Sequence, residues 1–273
     1  MDTENAVPEV PQKPKRSVMR RIGKYLFRTL IALIVIGIVA QLIYTFSGSS
    51  EWVNLGTRKG VTVYSMKIPG SSSKKFKATW KIRSTLSKFV MFSTEEESDM
   101  SVGYYDMRDI AKPSQQLIWS TWKQKFPAPF RPRQFVVRQE FSQDPKTKEF
   151  LFRVIADPDK IPAEDCCVRV PVMNNTWRLQ PLPNGEIEVE WLSDMEMGGF
   201  FPYFAANAYQ PGGMWYFARR VQGYLDRDKY KNAKYDWIQE VQPTVAAQPP
   251  VTSTPAPPPA APTAPASAAA VTP

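Results

Sequence analysis

The side chains able to do covalent chemistry are few and scattered along this chain. Histidine is absent, which removes the commonest general base and metal ligand. Asp99, Asp106, Asp109, Glu164, Asp165 and Asp194 supply carboxylates for acid or base work, yet no spacing among them pairs two on one element. There is no Gly-rich phosphate loop, metal-ligand cluster or nucleophile elbow. Cys166 and Cys167 are adjacent and cannot form a framework of loop-closing bridges. The favoured reading makes one a small buried residue and the other an idle thiol, the alternatives being a vicinal disulfide or an intermolecular bridge. These residues predict no catalytic group, no bound metal and no cofactor.

What remains is chemistry without covalent steps. Met195, Met197, Phe200, Phe201, Phe204, Met214, Trp215 and Phe217 crowd one stretch with soft and aromatic side chains, which adapt to flexible hydrocarbon and fill irregular space. The competing reading is an ordinary dry core, since aromatic stripes usually pack. Their placement depends on the run from Gly198 to Asn207. Paired glycines let a chain turn sharply out of a strand, and proline suits the first turn of a helix. A strand therefore ends near Met197 and a helix starts near Pro202. Pro211-Gly212-Gly213 should break that helix into two pieces or a hinge.

Upstream, alternating apolar residues predict strands over 61–66, 76–82, 116–122, 134–141, 149–155, 168–172 and 187–192. Residues 85–92 carry Leu86, Phe89 and Val90 at helical spacing, with Ser84 as the cap. Many strands with a few helices indicate an α+β domain built on an antiparallel sheet. Lys74, Lys75, Lys77 and Lys81 are interleaved with Phe76, Ala78, Trp80 and Ile82, which reads as a solvated sheet face rather than a nucleic-acid groove. No nucleic-acid partner is expected, despite a formal net charge of +9.

The two ends differ from this middle. Residues 29–46 are almost wholly apolar and long enough to cross a hydrocarbon core of about 30 Å as one helix. Lys13, Lys15, Arg16, Arg20, Arg21, Lys24 and Arg28 precede it, so the positive-inside rule puts residues 1–28 in the cytoplasm as a basic tail. The domain then lies on the periplasmic or luminal side. A cleavable signal peptide is the rival reading, but the apolar run exceeds the usual ~7–15 residues. Residues 241–273 are Pro, Ala, Thr and Ser in the main and cannot bury enough surface to fold. They leave a disordered tail, passive or available to a protein partner. The folded domain is 51–240.

The run Gly198-Gly199-Phe200-Phe201-Pro202-Tyr203-Phe204-Ala205-Ala206-Asn207 resembles the last strand-to-helix junction of START domains, which carry lipids. Trp52, Gly60-Val61-Thr62-Val63-Tyr64 and Lys75-Phe76-Lys77-Ala78 are similar to that family's opening segments. Pro132-Arg133-Gln134-Phe135-Val136 is similar to its Pro-Arg-Asp-Phe-Val, with Gln134 in place of the aspartate, so any pairing of that carboxylate is absent or moved. The resemblance covers Trp52 to about Leu225. It implies a helix-grip fold, a curved antiparallel sheet around a C-terminal helix, preceded here by the membrane helix. It also implies an internal apolar cavity for a lipid or sterol, sheltered or transferred at the membrane surface. Cavity residues on this reading are Trp119, Gln139, Met195, Met197, Phe200, Phe201, Phe204, Met214 and Phe217. A membrane-tethered adaptor with a vestigial cavity and a helix-grip enzyme acting on an apolar substrate are the competing classes.

Overall fold

The structure is a computed structural model describing residues 16–95 and 103–241. Asp99, the first fifteen residues of the amino-terminal tail and the Pro/Ala-rich segment from 242 onward lie outside the described residues. A long helix, α1 (Arg16–Phe46), comes first. It is long and apolar enough from Arg20 to Phe46 to cross a membrane, and its side chains are exposed from Arg20 to Ile43. It therefore adds nothing to the domain's core.

The domain follows as β1 (Trp52–Arg58), β2 (Val61–Lys67), β3 (Lys74–Arg83), α2 (Leu86–Ser93), β4 (Tyr104–Ser114), β5 (Leu117–Gln124) and β6 (Arg133–Gln143). Then come β7 (Phe150–Ala156), β8 (Val168–Arg169), β9 (Val172–Pro181), β10 (Glu186–Ser193), β11 (Met195–Glu196) and α3 (Tyr203–Leu225). The sheet order is β1-β2-β3-β10-β9-β7-β6-β5-β4, with β11 on β9 and β8 on β6. Pairing is antiparallel along the main path, and only β8 runs parallel to its neighbour. The late strand β10 lies between β3 and β9 and so joins the first hairpin to the rest.

Period-two alternation gives each central strand an inner face. On β3, Phe76, Ala78, Trp80 and Ile82 are buried, while Lys75 reaches Asp194 at 2.6 Å and Lys77 reaches Glu190 at 3.6 Å on the other side. The lysines thus form a solvated, ion-paired face. The inner face receives α3 through Met214, Trp215, Ala218, Val221 and Leu225, and the Trp215 indole donates to the Val61 carbonyl at 3.1 Å. Beyond α3 the chain returns to α2, where the Glu240 carboxylate accepts from the amides of Leu86 and Ser87 at 2.9 and 2.8 Å. A carboxylate there satisfies orphan amides and favours the helix dipole.

Four sequence expectations need correcting. The helix from Tyr203 to Leu225 is continuous through Pro211, because proline removes one backbone bond whereas buried side chains beyond it and the Asn207 side chain before it hold both halves in place. Thr85, not Ser84, caps α2, accepting from the Lys88 amide at 3.3 Å. The strand expected over 168–172 is two, β8 and β9, with Pro171 unable to donate between them. Cys166 and Cys167 are joined as a disulfide, in the turn whose Cys167 amide donates to the Glu164 carbonyl at 3.3 Å.

Beside that turn, Lys123 binds Asp106 at 2.7 Å and Glu164 at 2.5 Å. Its hydrogen bonds hold both carboxyls below their usual pKa, and theirs raise that of the ammonium, Asp106 first. A lowered carboxyl pKa stabilises the fold above the unfolded pKa and is lost as pH falls through the folded one; a raised ammonium is the mirror case at high pH. Thermal melts should therefore fall by a few degrees between about pH 5 and 3. Lys123→Met should remove that part of the slope, and an unchanged slope would mean the cluster is too well screened to matter.

Candidate functional site

The junction after β11 is braced from below. Gly198 has φ +68°, and a Cβ there would sit 2.9 Å from Pro171 Cδ and 3.0 Å from the Arg169 carbonyl oxygen. Only glycine fits that approach without displacing backbone. Under the turn lies Arg133, 1% exposed. Its Nε donates to the Met197 carbonyl at 3.2 Å, its Nη2 to those of Gly198 and Phe200 at 3.1 and 2.9 Å, and its Nη1 to that of Arg131 at 2.6 Å. Burial pulls its pKa down. The neighbouring Gln134 donates to Glu164 at 2.7 Å and accepts from Arg169 at 3.1 Å. A carboxylate is thus present near Arg169, carried by Glu164 instead of position 134.

The site itself is a cavity of about 290 Å³ between the inner face of the sheet and the helices α2 and α3. Phe89, Phe92, Phe152, Val154, Met173, Trp177, Trp191 and Phe217 make its apolar wall. Trp177 stacks on Trp191 at 4.6 Å between ring centroids, and Phe217 lies 5.2 Å from both. On the opposite side is a polar thread. Gln139 Nε2 donates to Ser120 Oγ at 2.8 Å, and Ser120 Oγ donates to Asp109 Oδ1 at 2.8 Å. Gln139 Oε1, Trp122 Nε1 and Trp191 Nε1 are buried without a hydrogen-bond partner among the described residues, and all three side chains line the cavity. An unpartnered buried acceptor costs about 1–3 kcal/mol, so this wall is suited to a ligand that brings polar groups to it.

Of the residues expected here from sequence, the cavity wall contains Gln139 and Phe217. Trp119 is on the outer face of β5, donating to Asp157 at 2.8 Å with the Lys160 ammonium 4.2 Å from its ring centroid; strand parity turns its neighbours Ser120 and Trp122 inward instead. Met195, Met197 and Phe201 line a separate pocket of about 40 Å³ beside Phe76 and Tyr203. Met214 is fully buried in the core under α3. Phe200 and Phe204 are 84% and 80% exposed, outside any enclosed space. Proximity in sequence to the Gly-Gly turn does not place a side chain in the cavity, because the turn lies at one end of the sheet. Among the wall residues not singled out beforehand, Phe152, Val154, Met173, Asn175, Trp177 and Trp191 are inward positions of β7, β9 and β10, visible as alternation once the strands are registered.

Four of the six carboxylates offered for catalysis are engaged with neighbouring side chains. Asp106 and Glu164 hold Lys123, Asp194 holds Lys75, and Asp109 accepts from Ser120.

No family model matches the chain. An uncharacterized protein of Pseudomonas aeruginosa is 23% identical over 182 residues, covering 66% of this chain and 87% of that one. Among solved structures, a STAR-related lipid transfer protein from Xanthomonas axonopodis superposes with TM-score 0.58 at 18% identity, covering 64% of this chain and 99% of the other. Human StAR-related lipid transfer protein 5 superposes with TM-score 0.54 at 14% identity, covering 72% and 97%. The fold is the START helix-grip fold, with one apolar helix ahead of it that is a candidate transmembrane span.

Proposed function

We propose that this protein binds one lipid or sterol in the cavity between sheet and α3, and shelters or transfers it at the surface of the membrane that α1 spans. The observation that carries the reading is the apolar cavity whose polar wall leaves Gln139 Oε1 buried and unpartnered. Since that oxygen accepts, the matching ligand is an amphiphile with a hydroxyl donor at one end. At about 290 Å³ the space sits at the lower end of the ~300–1,000 Å³ range of ligand pockets. A single acyl chain or a sterol suits it better than a two-chain phospholipid.

Binding needs no covalent step. Each buried methylene contributes about 0.8 kcal/mol, so an apolar cavity competes with a bilayer by matching its interior. The protein acts as a carrier, not an enzyme. An open cavity also favours the carrier over an adaptor with a vestigial one. The cation-rich segment before the apolar run favours a cytoplasmic amino terminus, with the domain on the periplasmic or luminal side.

The test is native mass spectrometry of residues 51–241 from its own host, followed by lipid extraction. That piece keeps the whole core, since α1 buries none of its span residues in it. A stoichiometric lipid is the expected result. A protein that is empty and also takes up neither labelled sterol nor single-chain lipid from vesicles would overturn the reading. Gln139→Leu should weaken retention of a hydroxyl-bearing ligand about three- to tenfold, the worth of one hydrogen bond, while its deoxy analogue is unaffected. Equal losses for both ligands would mean Gln139 shapes the wall without reading the hydroxyl.

A further inference from the structure

Phe200 and Phe204, at 84% and 80%, are the two most exposed large apolar side chains among the described residues. They line an open recess of about 680 Å³ together with Gln41 and Tyr44 of α1, Lys74 and Asn207. The recess exists because the last turns of α1 are tied to the domain. Asn207 Nδ2 donates to the Tyr44 hydroxyl at 2.9 Å and to the Ser72 carbonyl at 3.0 Å, while its Oδ1 accepts from the Lys74 amide at 2.9 Å. Gln41 Nε2 donates to Ser72 Oγ at 3.0 Å, and the Thr45 carbonyl accepts from the Gly70 amide at 2.9 Å and Lys67 Nζ at 3.0 Å. Asn207, the last residue of the Gly-Gly-to-Asn run, thus joins α3 to α1.

Depth follows from helix rise. With the cations up to Arg28 held at the inner headgroups, residues 29–46 cover about 27 Å, nearly the whole ~30 Å hydrocarbon core. Gln41 and Tyr44 then lie level with the far leaflet, and side chains sharing a recess with them lie at the same depth. Phe200 stacks on Phe130 of the loop between β5 and β6 at 6.0 Å, which extends the aromatic surface. Lys74 on the recess wall is a cation at headgroup height. Aromatic rings and lysine are the composition of a membrane-interface surface.

We propose that the end of α1 and the start of α3 form one joint that seats Phe200 and Phe204 in the domain-side leaflet of the phospholipid bilayer that α1 spans. The partner is that bilayer itself. The proposal rests on α1 being a membrane span and is independent of what the cavity holds. Fixed this way, the domain meets its own membrane in one orientation instead of swinging on its linker.

The experiment uses the full chain in phosphatidylcholine–phosphatidylglycerol vesicles, with Cys166 and Cys167 changed to Ser. Single cysteines replace Phe200, Phe204 or, as control, the exposed Lys146, each labelled with a nitrobenzoxadiazole probe. Probes at 200 and 204 should emit to the blue of the probe at 146 and be quenched several-fold more by lipid carrying a nitroxide high on its chain than by aqueous iodide. Flotation of the same vesicles separates two failures. A chain that does not float overturns the span and the joint with it, and aqueous probes on a chain that floats overturn the joint alone. Lipid carriage in the cavity is untouched by either result, because it is read on residues 51–241.

Discussion

Replacing Arg133 with methionine lowers the melting midpoint of residues 51–241 by about 10 °C, the largest loss expected from any single polar side chain here. Four carbonyls converge on its guanidinium, those of Arg131, Met197, Gly198 and Phe200. Methionine keeps the volume and removes every donor, leaving four part-buried carbonyls without their partner, each costing about 1–3 kcal/mol to the extent that water cannot reach it. Relaxation and water entry recover part of that sum, so a net cost of about 3–5 kcal/mol is expected. Lysine does not rescue, because one ammonium cannot fork toward acceptors on both sides of the turn. The loss is also directional. Arg133 sits on β6 and its acceptors lead into α3, so the junction should lose amide protection before the central strands do. Equal loss of protection everywhere, or a midpoint within a degree or two of the parent, would rule out Arg133 as the brace of the turn.

Much of this arrangement is legible in the linear chain, for reasons that differ from element to element. The central strands β2, β3, β7 and β10 bury one face more deeply than the other, so their alternation survives in sequence, whereas β6 is buried on both faces from Arg133 to Val137 and alternates only beyond that. The edge strands β1 and β4 bury almost nothing, and without a buried face no period marks them. Pro211 signals a break that packing overrides, since a helix fixed by side chains on both sides of a proline tolerates one missing bond. The aromatic cluster misleads for a different reason. Methionine and phenylalanine types mark adaptable apolar contact, but the same types serve the core at Met214, the small pocket at Met197 and the exposed recess at Phe204. For the two candidates on β5 and β6 it is the register of these strands, Ile118 opposite Gln139 and Trp119 opposite Arg138, that turns Gln139 to the cavity and Trp119 away from it. Asn207 carries no local signal of its partner, because Tyr44 is a long-range neighbour brought in by the fold.

Val154→Trp should abolish ligand retention while leaving the domain folded, with a melting midpoint equal to the parent's or slightly higher. Val154 is an inward residue of β7 in the middle of the sheet and lines the cavity. An indole there fills space that a ligand would otherwise occupy. Overpacking a dense core costs about 1–3 kcal/mol, but here the added ring enters open volume and buries apolar surface worth about 25 cal/mol per Å². The two effects oppose each other, and the available volume decides in favour of the second. Retention should fall more than about tenfold, since the ring removes room for several methylenes at about 0.8 kcal/mol each. Met173→Trp, on the neighbouring strand β9 and also on the wall, repeats the test should the first variant melt early. The informative outcome is a folded variant that still holds its lipid. Such a variant would place the ligand away from this cavity and direct attention to the recess between α1 and α3, where Phe200, Phe204 and Lys74 offer the other apolar surface with a cation beside it.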